Sequence, residues 1–193
     1  MKYLKLFESH RDEVLLKIVR NGLVNDKPEF IDLAVSKGFD LNNYRSELIE
    51  WCKKTANYNA IKYLDQKEYN DLVKNTTALD ISNRNIKSLK GISDLTNLEK
   101  LSCYNNQIES LEPISGLTKL EKLYCFNNRI ESLEPISGLT NLEHLYCSNN
   151  RIESLEPISG LTNLTHLHYV DNPVEVLELG NDIISIQDYY RNL

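Results

Sequence analysis

Long apolar runs are missing from this chain of 193 residues, and no stretch approaches the roughly eighteen apolar residues of a membrane span. The opening, Met1 to Glu8, holds no apolar run of signal-peptide length, and Glu8, His10 and Arg11 interrupt it at once. The expectation is therefore a protein with no membrane partner that works in the cytoplasm, or in a host cytoplasm if its source is a virus or an effector-secreting bacterium. Cysteine is scarce: there are four, with no CxxC spacing that would announce a disulfide framework or a metal cluster. A phosphate loop, a Ser-His-Asp order and a deaminase signature are all absent, so neither an enzyme nor a cofactor is expected. Positive charge is in short supply as well. The chain carries 22 Lys/Arg against 28 Asp/Glu; residues 75–193 hold 9 against 16, or −7. That imbalance argues against nucleic acid as a ligand, since phosphate contacts need a basic surface.

What the sequence has instead is repetition. Residues 95–116 read LTNLEKLSCYNNQIESLEPISG, residues 117–138 LTKLEKLYCFNNRIESLEPISG, and residues 139–160 LTNLEHLYCSNNRIESLEPISG, with degenerate copies at about 76–94 and 161–179. Within a copy the apolar positions are fixed, as at Leu117, Leu120, Leu123, Cys125, Ile130, Leu133 and Ile136. The alternation Leu123-x-Cys125 is a strand pattern, and Pro135 and Gly138 punctuate the return. One copy cannot bury its own apolar face, whereas stacked copies share a continuous core. Parallel strands about 4.8 Å apart would make five coils a stack of about 20–25 Å. Asn106, Asn128, Asn150 and Asn172 fall three residues past the Cys103, Cys125 and Cys147 column and its successor, where an amide can satisfy backbone groups as each coil leaves its strand. The first coil has Arg84 there, so its turn must be satisfied differently or open to solvent.

This pattern resembles the 22-residue class of leucine-rich repeats, LxxLxxLxLxxNxIxxLxxI, familiar from bacterial internalins and from a leucine-rich regulatory subunit of protein phosphatase. The resemblance covers about residues 76–179 and implies an α+β chain: a right-handed solenoid of about five coils, its parallel sheet on the concave face, behind a small all-α domain. Cys replaces the usual Leu in the second strand position, which implies a slightly thinner core.

Residues 1–74 lack the 22-residue period and show helical spacing. Leu15, Ile18 and Val19 suit one helix, Phe30, Ile31 and Val35 a second behind Asp26 and Pro28, Leu48, Ile49, Trp51 and Cys52 a third, and Ile61, Tyr63 and Leu64 a fourth, with Gly22 and Gly38 as helix stops. Leu15-Leu16 and Leu48-Ile49 lie 33 residues apart, and the segments Phe30–Asp40 and Ser46–Leu64 resemble parts of ankyrin repeats, although the Thr-Pro-Leu-His opening is absent. An ankyrin-like pair and an unrelated helical bundle both fit. This domain, and a helix over Tyr69, Leu72 and Val73, would cap the array at one end. Residues 181–193, with Ile183, Ile184, Ile186, Tyr189 and Tyr190, would cap it at the other. The repeats themselves are assigned to residues 75–180.

The strand residues that alternate with the buried ones form three columns on the concave face: Ala78, Lys100, Lys122, His144, His166; Asp80, Ser102, Tyr124, Tyr146, His168; and Ser82, Tyr104, Phe126, Ser148, Val170. The three near-identical copies differ at five of 22 positions, and three of those five are these columns. Glu109, Glu131 and Glu153 on the opposite side do not vary, although they too are expected to be exposed. The columns therefore read as a surface diversified for binding a protein partner. Its candidate contact residues are Lys100, Ser102, Tyr104, Lys122, Tyr124, Phe126, His144, Tyr146, His166 and His168, a mixture common at interface hot spots. Two other readings compete. His144, His166 and His168 could converge on a metal ion, although no carboxylate is placed to orient them. The array could also be a structural component of an assembly.

Overall fold

A computed structural model describes residues 2–25, 27–174 and 183–192, with side chains from residue 12 onward. Asp26 and the tail of the last repeat, 175–180, lie outside the described residues. The chain divides into two compact units, residues 1–70 and 71–193, four residues earlier than the boundary read from the sequence.

The first unit is helical: α1 (Lys2–Val24), α2 (Glu29–Ser36), α3 (Leu41–Lys54) and the start of α4 (Gln66–Asn75). Leu15, Val19, Leu23, Ile31, Ala34, Leu48 and Cys52 are buried, the helical spacing having placed them on inward faces. Gly22 does not stop α1, which runs two residues beyond it. It is small for another reason: a Cβ there would lie 2.8 Å from the Lys27 carbonyl oxygen and 2.9 Å from Phe30 Cβ. The residue thus allows the hairpin from α1 to α2 to close. Gly38 does end α2, at φ 92, with the Phe39 amide donating to the Ala34 carbonyl in a left-handed cap. The expected fourth helix is a six-residue 3-10 segment, Tyr58–Tyr63. Ala56, at φ 59, breaks the chain's helical course just before it.

The second unit is a coil stack. Five three-residue strands, β1 (Ala78–Asp80), β2 (Lys100–Ser102), β3 (Lys122–Tyr124), β4 (His144–Tyr146) and β5 (His166–His168), pair in parallel in chain order. Each residue pairs with the one 22 positions on, as in Lys100↔Lys122↔His144↔His166. Opposite the sheet, 3-10 turns at Glu112–Ile114, Glu134–Ile136 and Glu156–Ile158 each carry a proline in their first turn. There proline's fixed φ fits and its missing N–H is not needed. Ser110, Ser132 and Ser154 hydroxyls accept the Glu112, Glu134 and Glu156 amides at 3.0–3.1 Å. The core between sheet and turns is fully buried through the middle coils, as at Leu123, Ile130, Leu133 and Ile136. Ile81 and Tyr169 stand in the cysteine column of the outer coils, both buried.

Polar hooks engage the stack at both ends. The Asn97 amide donates to the Val73 and Lys74 carbonyls at the end of α4, each at 3.2 Å. In α5 (Ile183–Arg191) the buried Gln187 donates to the Ile158 and Leu161 carbonyls at 3.1 and 2.8 Å. Each of those carbonyls also accepts a backbone amide, Leu161 donating to Ile158 and Leu164 to Leu161, both at 3.0 Å. Ile186 is buried beside it, whereas Ile184, expected in the seal, points outward with 67% of its surface exposed.

Each expected asparagine is a rung joining two coils. Asn128 Nδ2 donates to the carbonyls of Cys103 in the preceding coil and Cys125 in its own, both at 3.0 Å, while its Oδ1 accepts the Ile108 amide at 3.0 Å. Asn150 repeats this with Cys125, Cys147 and Ile130, and Asn172 with Cys147, Tyr169 and Ile152. Asn106 serves the first coil, accepting the Arg84 and Ile86 amides; the Arg84 guanidinium fills the missing rung by donating to the Asp80 carbonyl at 2.8 Å. Replacing Asn128 by Ala strands its three backbone partners and the Phe126 carbonyl, which its amide also reaches at 3.3 Å, and should lower stability by about 1–3 kcal/mol. Urea unfolding checks it: an unchanged midpoint would mean the amide contributes nothing to the coil interior.

Candidate functional site

All ten predicted contact residues stand on one side of the sheet. Lys100, Ser102, Lys122, Tyr124, His144, Tyr146, His166 and His168 are strand residues that alternate with the buried Leu101, Leu123 and Leu145, and Tyr104 and Phe126 come two residues after the ends of β2 and β3. Ser102 is itself buried, leaving nine that reach solvent.

The 22-residue register decides how their rings meet. Parallel strands lie about 4.8 Å apart, close to the spacing of stacked aromatics. Tyr104 stacks on Phe126 at 4.6 Å and 4°, Tyr124 on Tyr146 at 5.0 Å and 24°, and Tyr146 on His168 at 4.5 Å and 13°. His144 stacks on His166 at 4.2 Å and 14°. Lys100 Nζ lies 5.5 Å from the centroid of Tyr124, over the end of the longest column that Ser102 leaves bare. The rings thus run coil on coil, face to face. Each half-buried ring contributes about 0.5–1.5 kcal/mol through its stack beyond the area it covers. Tyr124 and Phe126 are consequently partly structural and not the freely exposed residues their alternation alone suggests.

Face-to-face stacking also answers the metal reading. Metal ligation needs ring nitrogens converging on one point, whereas the His144 and His166 rings lie parallel, and the Thr165 hydroxyl is 2.8 Å from His166 Nδ1. Among the described residues no group of three or more His, Cys, Asp or Glu is placed to hold an ion. The His144 imidazole sits below its ordinary value of 6.5, chiefly through burial, then through the charges of His166 and Lys122, with Glu143 opposing.

One feature beside the face escapes the sequence reading. Asn83, Asn105, Asn127, Asn149 and Asp171 all adopt left-handed backbone, φ 52 to 60. Asparagine tolerates that region better than other residues with a Cβ. The side chains of the first four form a second ladder, Asn149 donating to Asn127, Asn127 to Asn105 and Asn105 to Asn83, at 2.6–2.9 Å. The recurring Asn-Asn pair was the available signal, with one member for each ladder. Val170, at the far end of the third column, is 57% exposed. Behind the face, burial pushes the Cys103 and Cys147 thiols up to about 12 and Cys125 well above its usual range.

The model of the family Leucine Rich repeats (2 copies) matches residues 77–116, 96–139, 118–160 and 140–191. The chain belongs to the leucine-rich repeat family. Its fold is similar to internalin C2 of Listeria monocytogenes, with 32% identity, a TM-score of 0.52, and coverage of 54% of this chain and 47% of that one. It is also similar to the functional domain of the internalin InlJ from the same organism, which includes a cysteine ladder: 32% identity, a TM-score of 0.52, and 58% and 24% coverage. A third Listeria internalin, InlF, shares 28% identity at a TM-score of 0.51 over 52% and 30%. The chain thus spans from about a quarter to about half the length of these structures. No curated protein matches it significantly. Arrays of this family are in general protein–protein interaction modules, typically without enzymatic activity.

Two outcomes check the site. His144 should titrate below 6.5 in proton NMR, and His166→Gln should move the midpoint upward by removing a neighbouring charge. Because the folded value lies below the unfolded one, the stability linked to His144 is present above pH 6.5 and lost as pH falls through it. A midpoint at or above 6.5 would contradict the stacked, half-buried placement. Separately, Cys103, Cys125 and Cys147 should resist alkylation until the protein unfolds, since all three are buried and protonated. Rapid labelling of the native protein would mean that the strand phase is reversed.

Proposed function

We propose that this protein binds a partner protein on the concave sheet face, acting as an interaction module or adaptor in the cytoplasm. The observation that carries the reading is where the copies differ. Three of five variable positions in the three near-identical copies fall on the face that holds the stacked rings, while the opposite face keeps the same glutamates in all three. Neutral drift would have touched Glu109, Glu131 and Glu153 as readily, since all are exposed. Tyr104, Tyr124, Phe126 and Tyr146 supply the apolar area, with His144, His166 and His168 at the carboxy-terminal end. Five shallow coils suit an extended protein surface or peptide better than an enclosed small molecule.

The chain contains its own benign replacements for a test. Ser102 and Ser148 occupy the columns of Tyr124 and Phe126 in sister coils. The Tyr124→Ser/Phe126→Ser variant should fold, with a lowered urea midpoint from the lost stacks, and lose about 2 kcal/mol or more of binding to a partner captured by the wild type. Glu131→Ala/Glu153→Ala should leave capture unchanged. Loss of capture in the glutamate variant alone would put the binding surface on the other face. Self-association of the wild type without any other partner would instead favour a structural component of an assembly.

A further inference from the structure

Stacking fixes which part of each ring a ligand can meet. In the Tyr124–Tyr146–His168 column the ring faces are turned toward neighbouring coils and occupied by each other, with Lys100 over the exposed end. His144 and His166 cover one another in the same way. What remains toward solvent is ring edges, the electropositive rim of the aromatic quadrupole, together with phenol hydroxyls and imidazole nitrogens. Lys100 and Lys122 precede the two histidines in the same register column. None of the twelve column positions in coils two to five is an Asp or Glu, although the unit as a whole is acidic. The only carboxylate in the columns, Asp80 in the first coil, is already engaged: its Oδ1 accepts the Ser82 amide at 2.9 Å, and the charges of Arg84 and Lys100 lie near it. The exposed row Glu99, Glu121 and Glu143 sits one residue before the strands and bounds the cationic strip along one side.

Resting on the proposed binding face, we propose that its ligand is an extended acidic segment of the partner protein, laid across the strands with its carboxylates against Lys100, Lys122 and the ring edges. Four inter-strand steps of about 4.8 Å span about 19 Å, the reach of about six extended residues. Single-stranded nucleic acid offers the same negative charge but binds by stacking bases on open aromatic faces, and here each stacked ring has at least one face taken by its neighbour.

Three fluorescein-labelled probes, deca-glutamate, deca-lysine and a thymidine decanucleotide, would be titrated against the full chain at low salt by fluorescence anisotropy. Deca-glutamate should bind, and Lys100→Gln/Lys122→Gln should weaken it about tenfold or more, while Lys87→Gln/Lys119→Gln, with the same change in net charge, should not. No binding of deca-glutamate, equal weakening by both variants, or preferential binding of either other probe through Lys100 and Lys122 would overturn the proposal. The Tyr124→Ser/Phe126→Ser variant separates the two readings. If it still loses its protein partner while the glutamate probe ignores Lys100 and Lys122, the acidic segment is wrong and the face stands. If it keeps its partner, the face itself is wrong.

Discussion

The asparagine rung is the constraint on which the rest of the array depends. A coil leaving a three-residue strand turns inward with carbonyls and amides that no sheet partner can satisfy, and burying them unpaired would cost more than a short strand returns. One amide at Asn106, Asn128, Asn150 or Asn172 meets these groups in its own coil and in the one before. Because each rung spans two coils, it also fixes their offset at 22 residues. Strand register, the closed apolar core and the alignment of every outward column follow from that offset.

The proposed binding face follows from the same offset. An array whose coils slipped by one residue would exchange its inward leucines for its outward tyrosines and histidines. Held in register, equivalent side chains sit one strand spacing apart, where planar rings stack. The face is consequently rigid and preorganised, which reduces the side-chain ordering that a partner's binding would otherwise require. The buried thiols behind it contribute volume without reactivity, since they lie in the core away from any activating cation.

Much of this was legible in the sequence because the repeat supplies its own internal comparison. The period placed the strands, the Cys column and the Asn rungs, and alternation placed the ten face residues on one side. Four things were not legible, each for a physical reason. Ring-on-ring stacking depends on strand spacing and not on residue type, so Tyr124 and Phe126 read as simply exposed. Gly22 read as a helix stop because glycine's freedom at a terminus and its smallness at a close approach look alike in a sequence. The 3-10 segment Tyr58–Tyr63 read as an α-helix because six residues carry too little periodicity to separate the two. Gln187 was passed over because the apolar residues around it suggested an apolar seal, whereas its amide adds a donor to the Ile158 and Leu161 carbonyls.

The most direct test of the account removes one whole coil. Deleting residues 117–138 brings Asn106 and Asn150 to the 22-residue offset that each rung requires. The account predicts that this shortened protein unfolds in urea as one cooperative transition at a lower midpoint, because neighbouring coils remain matched. Deleting 117–127 instead, half a coil, should abolish that transition. If both deletions unfold alike, register does not govern the array.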